Sequence, residues 1–86
     1  MPMLNLKLKY FASVREAVGV AGEQATSNAS TVGALRDELI ARGGAYAQSL
    51  ARGRAIRVAL NQTMCEESAS LSEDDEAAFF PPVTGG

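Results

Sequence analysis

The 86-residue chain has no histidine, no tryptophan and a single cysteine, Cys65. Without imidazole, the catalytic triads and histidine-ligated centres that depend on it are excluded, and no metal is expected. One cysteine cannot close an internal disulfide, which points to a reducing, cytoplasmic setting. No apolar run approaches the length of a membrane span. Asn5, Lys7 and Lys9 interrupt the apolar residues near the N-terminus, so neither a membrane anchor nor a secretory signal is expected. Beyond Arg57 there is no basic residue at all. A chain this short buries roughly 60% of the surface it exposes when unfolded, enough for one modest core but not for two domains around a cleft.

What is present is ordinary in amount, 47% hydrophobic and 21% charged residues, but uneven in placement. Residues 1–57 hold all eight Lys and Arg against four acids, and residues 58–86 hold six acids and no base. The bases are scattered, which argues against a nucleic-acid footprint. The acidic final third suits a basic partner surface or, equally well, a solvated loop.

Periodicity divides the chain into elements. Over Met3–Tyr10, Leu4, Leu6, Leu8 and Tyr10 alternate with Asn5, Lys7 and Lys9, the pattern of a half-buried strand. Ser13 is placed to cap a short helix over Val14–Val18 that Gly19 stops. A weaker strand is expected around Glu23–Ser27. The main helix opens at Ser30 or Thr31 and runs to Arg42, with Val32, Leu35, Leu39 and Ile40 on one stripe and Gly43-Gly44 as its stop. Gly33 in its first turn is expected to cost up to ~1 kcal/mol relative to alanine. A second short helix is expected over Ala45–Ala51. Ala55–Asn61 alternates again, with Ile56, Val58 and Leu60 inward and Arg57 and Ala59 outward. Asn61-Gln62 reads as a tight turn into a short strand, Thr63–Glu66. Leu71 is the only large apolar anchor of the acidic connection Ser68–Glu76, and Ala77–Phe80 is the last strand, ended by Pro81-Pro82. One principal helix against a small mixed sheet is an α+β roll. If the first and last strands lie side by side, the end of the chain leaves the sheet at its rim.

Conventional catalysis finds little support. The carboxylates fall mostly in a polar connection, where water keeps them ordinary solvated acids. Cys65 has Glu66 and Glu67 as sequence neighbours, which disfavour a thiolate, so a structural thiol is the stronger reading. Gly43-Gly44 lacks the lysine and the spacing of a phosphate loop.

The distinctive feature is the end, Phe79-Phe80-Pro81-Pro82-Val83-Thr84-Gly85-Gly86. Consecutive aromatics on a strand face opposite ways, so one enters the core while the other is left for a partner. Pro81 and Pro82 stiffen the exit into an extended segment. Gly85 and Gly86 carry no Cβ, so the terminal carboxylate passes through a channel too narrow for other residues. A projecting carboxylate suits a chain whose C-terminus is the reactive group. Adenylation with ATP supplies AMP as the leaving group, and attack by sulfide or a persulfide then leads to a thiocarboxylate with a strongly nucleophilic sulfur.

These residues resemble the sulfur-carrier small subunits of molybdopterin synthase, which are ubiquitin-like β-grasp proteins. The resemblance spans the chain through Phe11-Ala12-Ser13-Val14-Arg15-Glu16, Thr31-Val32, Ala34-Leu35-Arg36, Val58-Ala59-Leu60-Asn61-Gln62 and, most specifically, Phe79 to Gly86. The diproline stem separates it from the related carrier of thiamine synthesis. Ser72-Glu73-Asp74 stands where the family carries an Asp-Gly turn, and Gly33 replaces a usual helix former. The resemblance implies a β-grasp domain over residues 1–80, with about four to five strands on one main helix, and an extended tail over 81–86. It implies that a ubiquitin-activating-like adenylyltransferase adenylates Gly86 with ATP and that a sulfurtransferase supplies the sulfur. The tail, Pro81 to Gly85 leading to Gly86, would enter the large catalytic subunit in a heterotetramer of two small and two large subunits, with Phe79 and Phe80 at the interface. There the thiocarboxylate would convert cyclic pyranopterin monophosphate to molybdopterin. It implies no resident cofactor, no metal, no nucleic acid, no membrane and no catalysis by the chain alone. Three alternatives remain open at this stage: a carrier for thiamine, cysteine or tRNA thiolation, a non-carrier docking module, and a persulfide carried on Cys65.

Overall fold

The alternation at the N-terminus produces the strand it predicts. In the computed structural model, which describes residues 3–81, β1 (Leu4–Tyr10) turns Leu6, Leu8 and Tyr10 into the core and Asn5, Lys7 and Lys9 outward. There follow α1 (Ala12–Val18), β2 (Gly22–Ser27), α2 (Val32–Ala41), α3 (Gly44–Ser49), β3 (Arg57–Leu60), β4 (Thr63–Cys65) and β5 (Glu76–Phe80). The five strands form one mixed sheet in the order β2-β1-β5-β3-β4, an α+β roll of β-grasp type. β1 and β5, the first and last strands, lie side by side and parallel, with Tyr10 opposite Phe79. β2 pairs antiparallel with β1, and β3 pairs antiparallel with both β5 and β4.

α2 closes the inner face of the sheet through Val32, Leu35 and Leu39, which join Leu6, Leu8, Val58, Ala77 and Phe79 in one core. Thr31 caps it, its hydroxyl accepting from the Ala34 amide at 3.2 Å. Arg36, on the same helix, is only 3% exposed. Its guanidinium donates to the carbonyls of Leu50, Ala51 and Arg54 and to Glu67, which ties the loop after α3 to the helix.

Several local expectations need correction. α1 begins at Ala12, with Phe11 at its N-cap and Ser13 inside it, because the Phe11 carbonyl itself accepts from the amides of Val14 and Arg15. α3 ends at Ser49 and β3 starts only at Arg57, since turns closed by Arg54 N–H to Ala51 and by Ile56 N–H to Arg54 occupy the intervening segment. Ala59 faces outward but is covered, a small side chain between Ala78 and Met64 in register. Gly33 is more than a weak helix former. Its N–H donates to the Glu67 carbonyl at 2.8 Å, and a Cβ there would stand 3.2 Å from the Cβ of Glu67. Two turns are built without glycine: Asn61 and Gln62 both have positive φ, the two-residue hairpin of mirror-image type, and Asp74 takes φ 67°.

Candidate functional site

The last strand ends where the sequence places its aromatic pair, and the pleat separates the two rings. Phe79 is fully buried, its ring stacked against Tyr10 with centroids 6.3 Å apart. It therefore offers a partner no surface, which corrects its placement at the interface beside Phe80. Phe80 lies on the outer face, half-buried, and meets the ring of Phe11 edge-on at 6.1 Å. Phe11 is itself 44% exposed. It is held where β1 ends by its N–H, which donates to the Phe79 carbonyl at 3.1 Å, and by the left-handed Ala12 that follows, at φ 51°. Across the outer face Ala78 and Ala59 continue the apolar strip to Met64, 48% exposed. Large apolar side chains left open along one strip are the usual mark of a docking surface.

Pro81, the last described residue, is half-buried at the end of this strip, beside Ser13, Ala17 and Ile56. Pro82, Val83, Thr84, Gly85 and Gly86, which the sequence reading makes the working tail, lie outside the described residues.

Beneath the strip the inner face is braced. Tyr10 and Tyr46 both donate their hydroxyls to Glu23, at 2.8 and 2.6 Å, and Arg42 reaches both oxygens of the same carboxylate at 3.1 Å. The Arg42 guanidinium also sits 4.9 Å over the Tyr46 ring. Burial pushes Glu23 toward the neutral form, but the donors Tyr46, Tyr10 and Arg42 outweigh it and hold the carboxyl below its usual range. Burial and the Glu23 hydrogen bond push the Tyr10 hydroxyl far up, so it stays a donor. Arg42 makes these contacts from the C-cap of α2. The cluster ties α2 and α3 to β2 and keeps Tyr10 pressed on Phe79.

The acids of the final third are mostly internal ties. Glu67 accepts from Arg52 and from Arg36, and these guanidinium bonds, Arg52 foremost, hold its carboxyl low against the opposing effect of burial. Glu73 accepts from the side-chain and backbone nitrogens of Asn5, Asp75 from Asn61 and the Ser72 amide, and Glu76 pairs with Lys9 at 3.6 Å. Cys65 is half-buried on the inner side of β4, its thiol 3.7 Å from the Val58 carbonyl, and burial pushes its pKa up. That is the surrounding of a structural thiol. Among the described residues, no three metal-ligating side chains come together, and no helix is long and apolar enough to cross a membrane.

The sequence reading missed Phe11 and Met64 as surface groups. A signal for Phe11 was present, since it follows Tyr10 and breaks the alternation just as Phe80 follows Phe79. Met64 needed the hairpin register, which puts it opposite Ala59.

The ThiS family model matches residues 8–86. The molybdopterin synthase sulfur carrier subunit of Escherichia coli K12 is 41% identical over 81 residues, covering 94% of this chain and 99% of that protein. Among solved structures, small archaeal modifier protein 1 of Haloferax volcanii superposes with a TM-score of 0.76 at 25% identity, over 93% of this chain and 99% of that one. The complex of subunits 1 and 2 of the molybdopterin-converting factor from Helicobacter pylori contains the same fold, with a TM-score of 0.63 at 23% identity over 96% of this chain.

Proposed function

The chain belongs to the ThiS family, and we propose that it serves molybdenum cofactor biosynthesis as the sulfur carrier subunit of molybdopterin synthase. The observation that carries this reading is the near full-length likeness, at 33–41% identity, to relatives named for that role. The fold agrees with it. β5 delivers the chain to the rim of the sheet beside an open strip of Phe11, Phe80 and Met64, from which Pro81 leads into the tail. A relative that is a subunit of a synthase implies a larger partner, and the strip is the surface we assign to it.

On this reading the α-carboxylate of Gly86 attacks ATP on an adenylyltransferase, forming the acyl-adenylate and releasing pyrophosphate. The terminal sulfur of a persulfide on a sulfurtransferase attacks the acyl-adenylate and expels AMP. A thiol then reduces the resulting acyl disulfide, leaving a disulfide and, on Gly86, the thiocarboxylate. In the large subunit its sulfur passes to cyclic pyranopterin monophosphate, the carboxylate is restored with an oxygen from water, and two such deliveries build the dithiolene. Gly85 and Gly86 let this group through a narrow passage, with Pro81 to Thr84 as its stem. The protein is then a non-catalytic handle without a resident cofactor or metal, working in the cytoplasm.

The test is reconstitution with the large subunit and the activating enzymes. The full chain should support molybdopterin formation, and a chain lacking Gly86 should bind the large subunit yet support none. Undiminished synthesis by the truncated chain would refute the proposal.

A further inference from the structure

The charge asymmetry of the sequence becomes a spatial one. The acidic turn before β5 sits at the start of β1, where the Asp74 amide donates to the Asn5 carbonyl and the Lys7 amide to that of Asp75. The aromatic pair lies at the other end of β1, and its neighbours are cations. Arg57 stands opposite Phe80 in the β3–β5 register, on the same outer face. Arg15 follows Phe11 by one turn of α1, its N–H donating to the Phe11 carbonyl. It borders the same stretch of surface as Lys9 and Phe11. Both arginines are exposed, and among the described residues neither forms an ion pair, whereas Lys9 is engaged by Glu76. The outward positions of the sheet carry Lys7, Lys9 and Arg57 against Glu76 alone, although the whole chain has a net charge of −2.

Resting on the docking role given to the strip above, we infer that Arg15 and Arg57 select a partner surface on which acidic groups rim an apolar pocket. The pocket takes Phe80 and Phe11, and one carboxylate meets each guanidinium in the forked geometry that arginine offers. This reverses the partner charge suggested by the acidic final third, because Glu67 is paired with Arg36 and Arg52 and Glu76 with Lys9, while Glu73, Asp74 and Asp75 lie at the far end of β1. A protein surface fits better than a nucleic acid or an anionic membrane. Two arginines around an apolar centre are too few to track phosphates, and the two rings meet edge-on rather than as parallel platforms for successive bases. Opposite charge around an apolar centre mainly raises the association rate, and salt screens it.

The experiment follows association of the purified full chain with the purified large subunit by stopped flow across ionic strength. The variant Arg15→Gln/Arg57→Gln takes the net charge from −2 to −4. Asn28→Asp/Ala41→Glu makes the same change away from the strip. At low salt the arginine variant should associate about tenfold more slowly, with a flatter salt dependence, and the matched control should stay within about twofold of the parent chain. Thermal melts confirm that both remain folded. Equal rates for the two double variants overturn the inference, as does binding of the parent chain, lost in the arginine variant, to RNA or to phosphatidylserine vesicles. Head-to-tail self-association in sedimentation would also overturn it, assigning the arginines to the acidic turn of a second copy. If Phe80→Ala weakens the complex while the arginine variant matches its control, the docking strip stands and the acidic rim falls. If neither change affects the complex, both fall.

Discussion

A single peptide step separates Phe79 from Phe80, and the pleat gives them different work. Phe79→Ala should lower stability by ~3–5 kcal/mol, since it empties the space between Tyr10 and the core. Phe80→Ala should leave the melting curve nearly unchanged and weaken binding of the large subunit. Denaturant melts beside a binding titration check the split, and equal behaviour of the two variants in both assays would contradict it. Gly33 offers a second test, because two principles give opposite signs there. Helix propensity predicts that Gly33→Ala stabilises by up to ~1 kcal/mol. The structure predicts a loss of ~1 kcal/mol or more, since Glu67 is pinned by the Gly33 amide, Arg52 and Arg36 and cannot yield the few tenths of an ångström required. Glu23 gives a pH signature. Its carboxyl is held low in the folded chain, so its contribution is complete above the unfolded carboxylate pKa of about 4.3 and is lost as pH falls through the folded value. Melts of Glu23→Gln should show lower stability at neutral pH and a shallower decline on acidification than the parent chain.

Elements were legible where a period repeated and obscure where a local bond decided. β1 and α2 follow from alternation and a 3.6-residue stripe, β5 from the short apolar run that Pro81-Pro82 stops, and the sheet order makes the first and last strands neighbours. The boundaries of α1, α3 and β3 depend on individual carbonyls, those of Phe11, Tyr46 and Ala51, whose use no pattern announces. The outward apolar strip was only partly readable. Phe80 comes from the doublet, but Met64 reaches it only through the Asn61-Gln62 hairpin register. That turn carries its own prediction. Gln62 sits at φ 71°, where glycine is at ease, so Gln62→Gly should raise stability by ~0.5–1 kcal/mol in denaturant melts, with the register unchanged. A loss of stability would mean that the Gln62 side chain contributes more than its backbone costs.

At the scale of the molecule, the fold reads as a rigid stand for one end of the chain. The core and the Glu23 cluster hold β5, which ends beside the exposed strip that we assign to a partner. Cys65 is a half-buried thiol with a raised pKa, and Glu23, Glu67, Glu73 and Glu76 are tied to tyrosine, arginine, asparagine and lysine. The central claim is therefore that sulfur travels on the C-terminal carboxyl. The most direct measurement is fragment-resolved mass spectrometry of the chain after incubation with ATP, its adenylyltransferase and its sulfurtransferase. The account predicts one oxygen exchanged for one sulfur in the fragment ending at Gly86, with the same result in Cys65→Ser. Sulfur found on Cys65, with the terminal fragment unchanged, would contradict it.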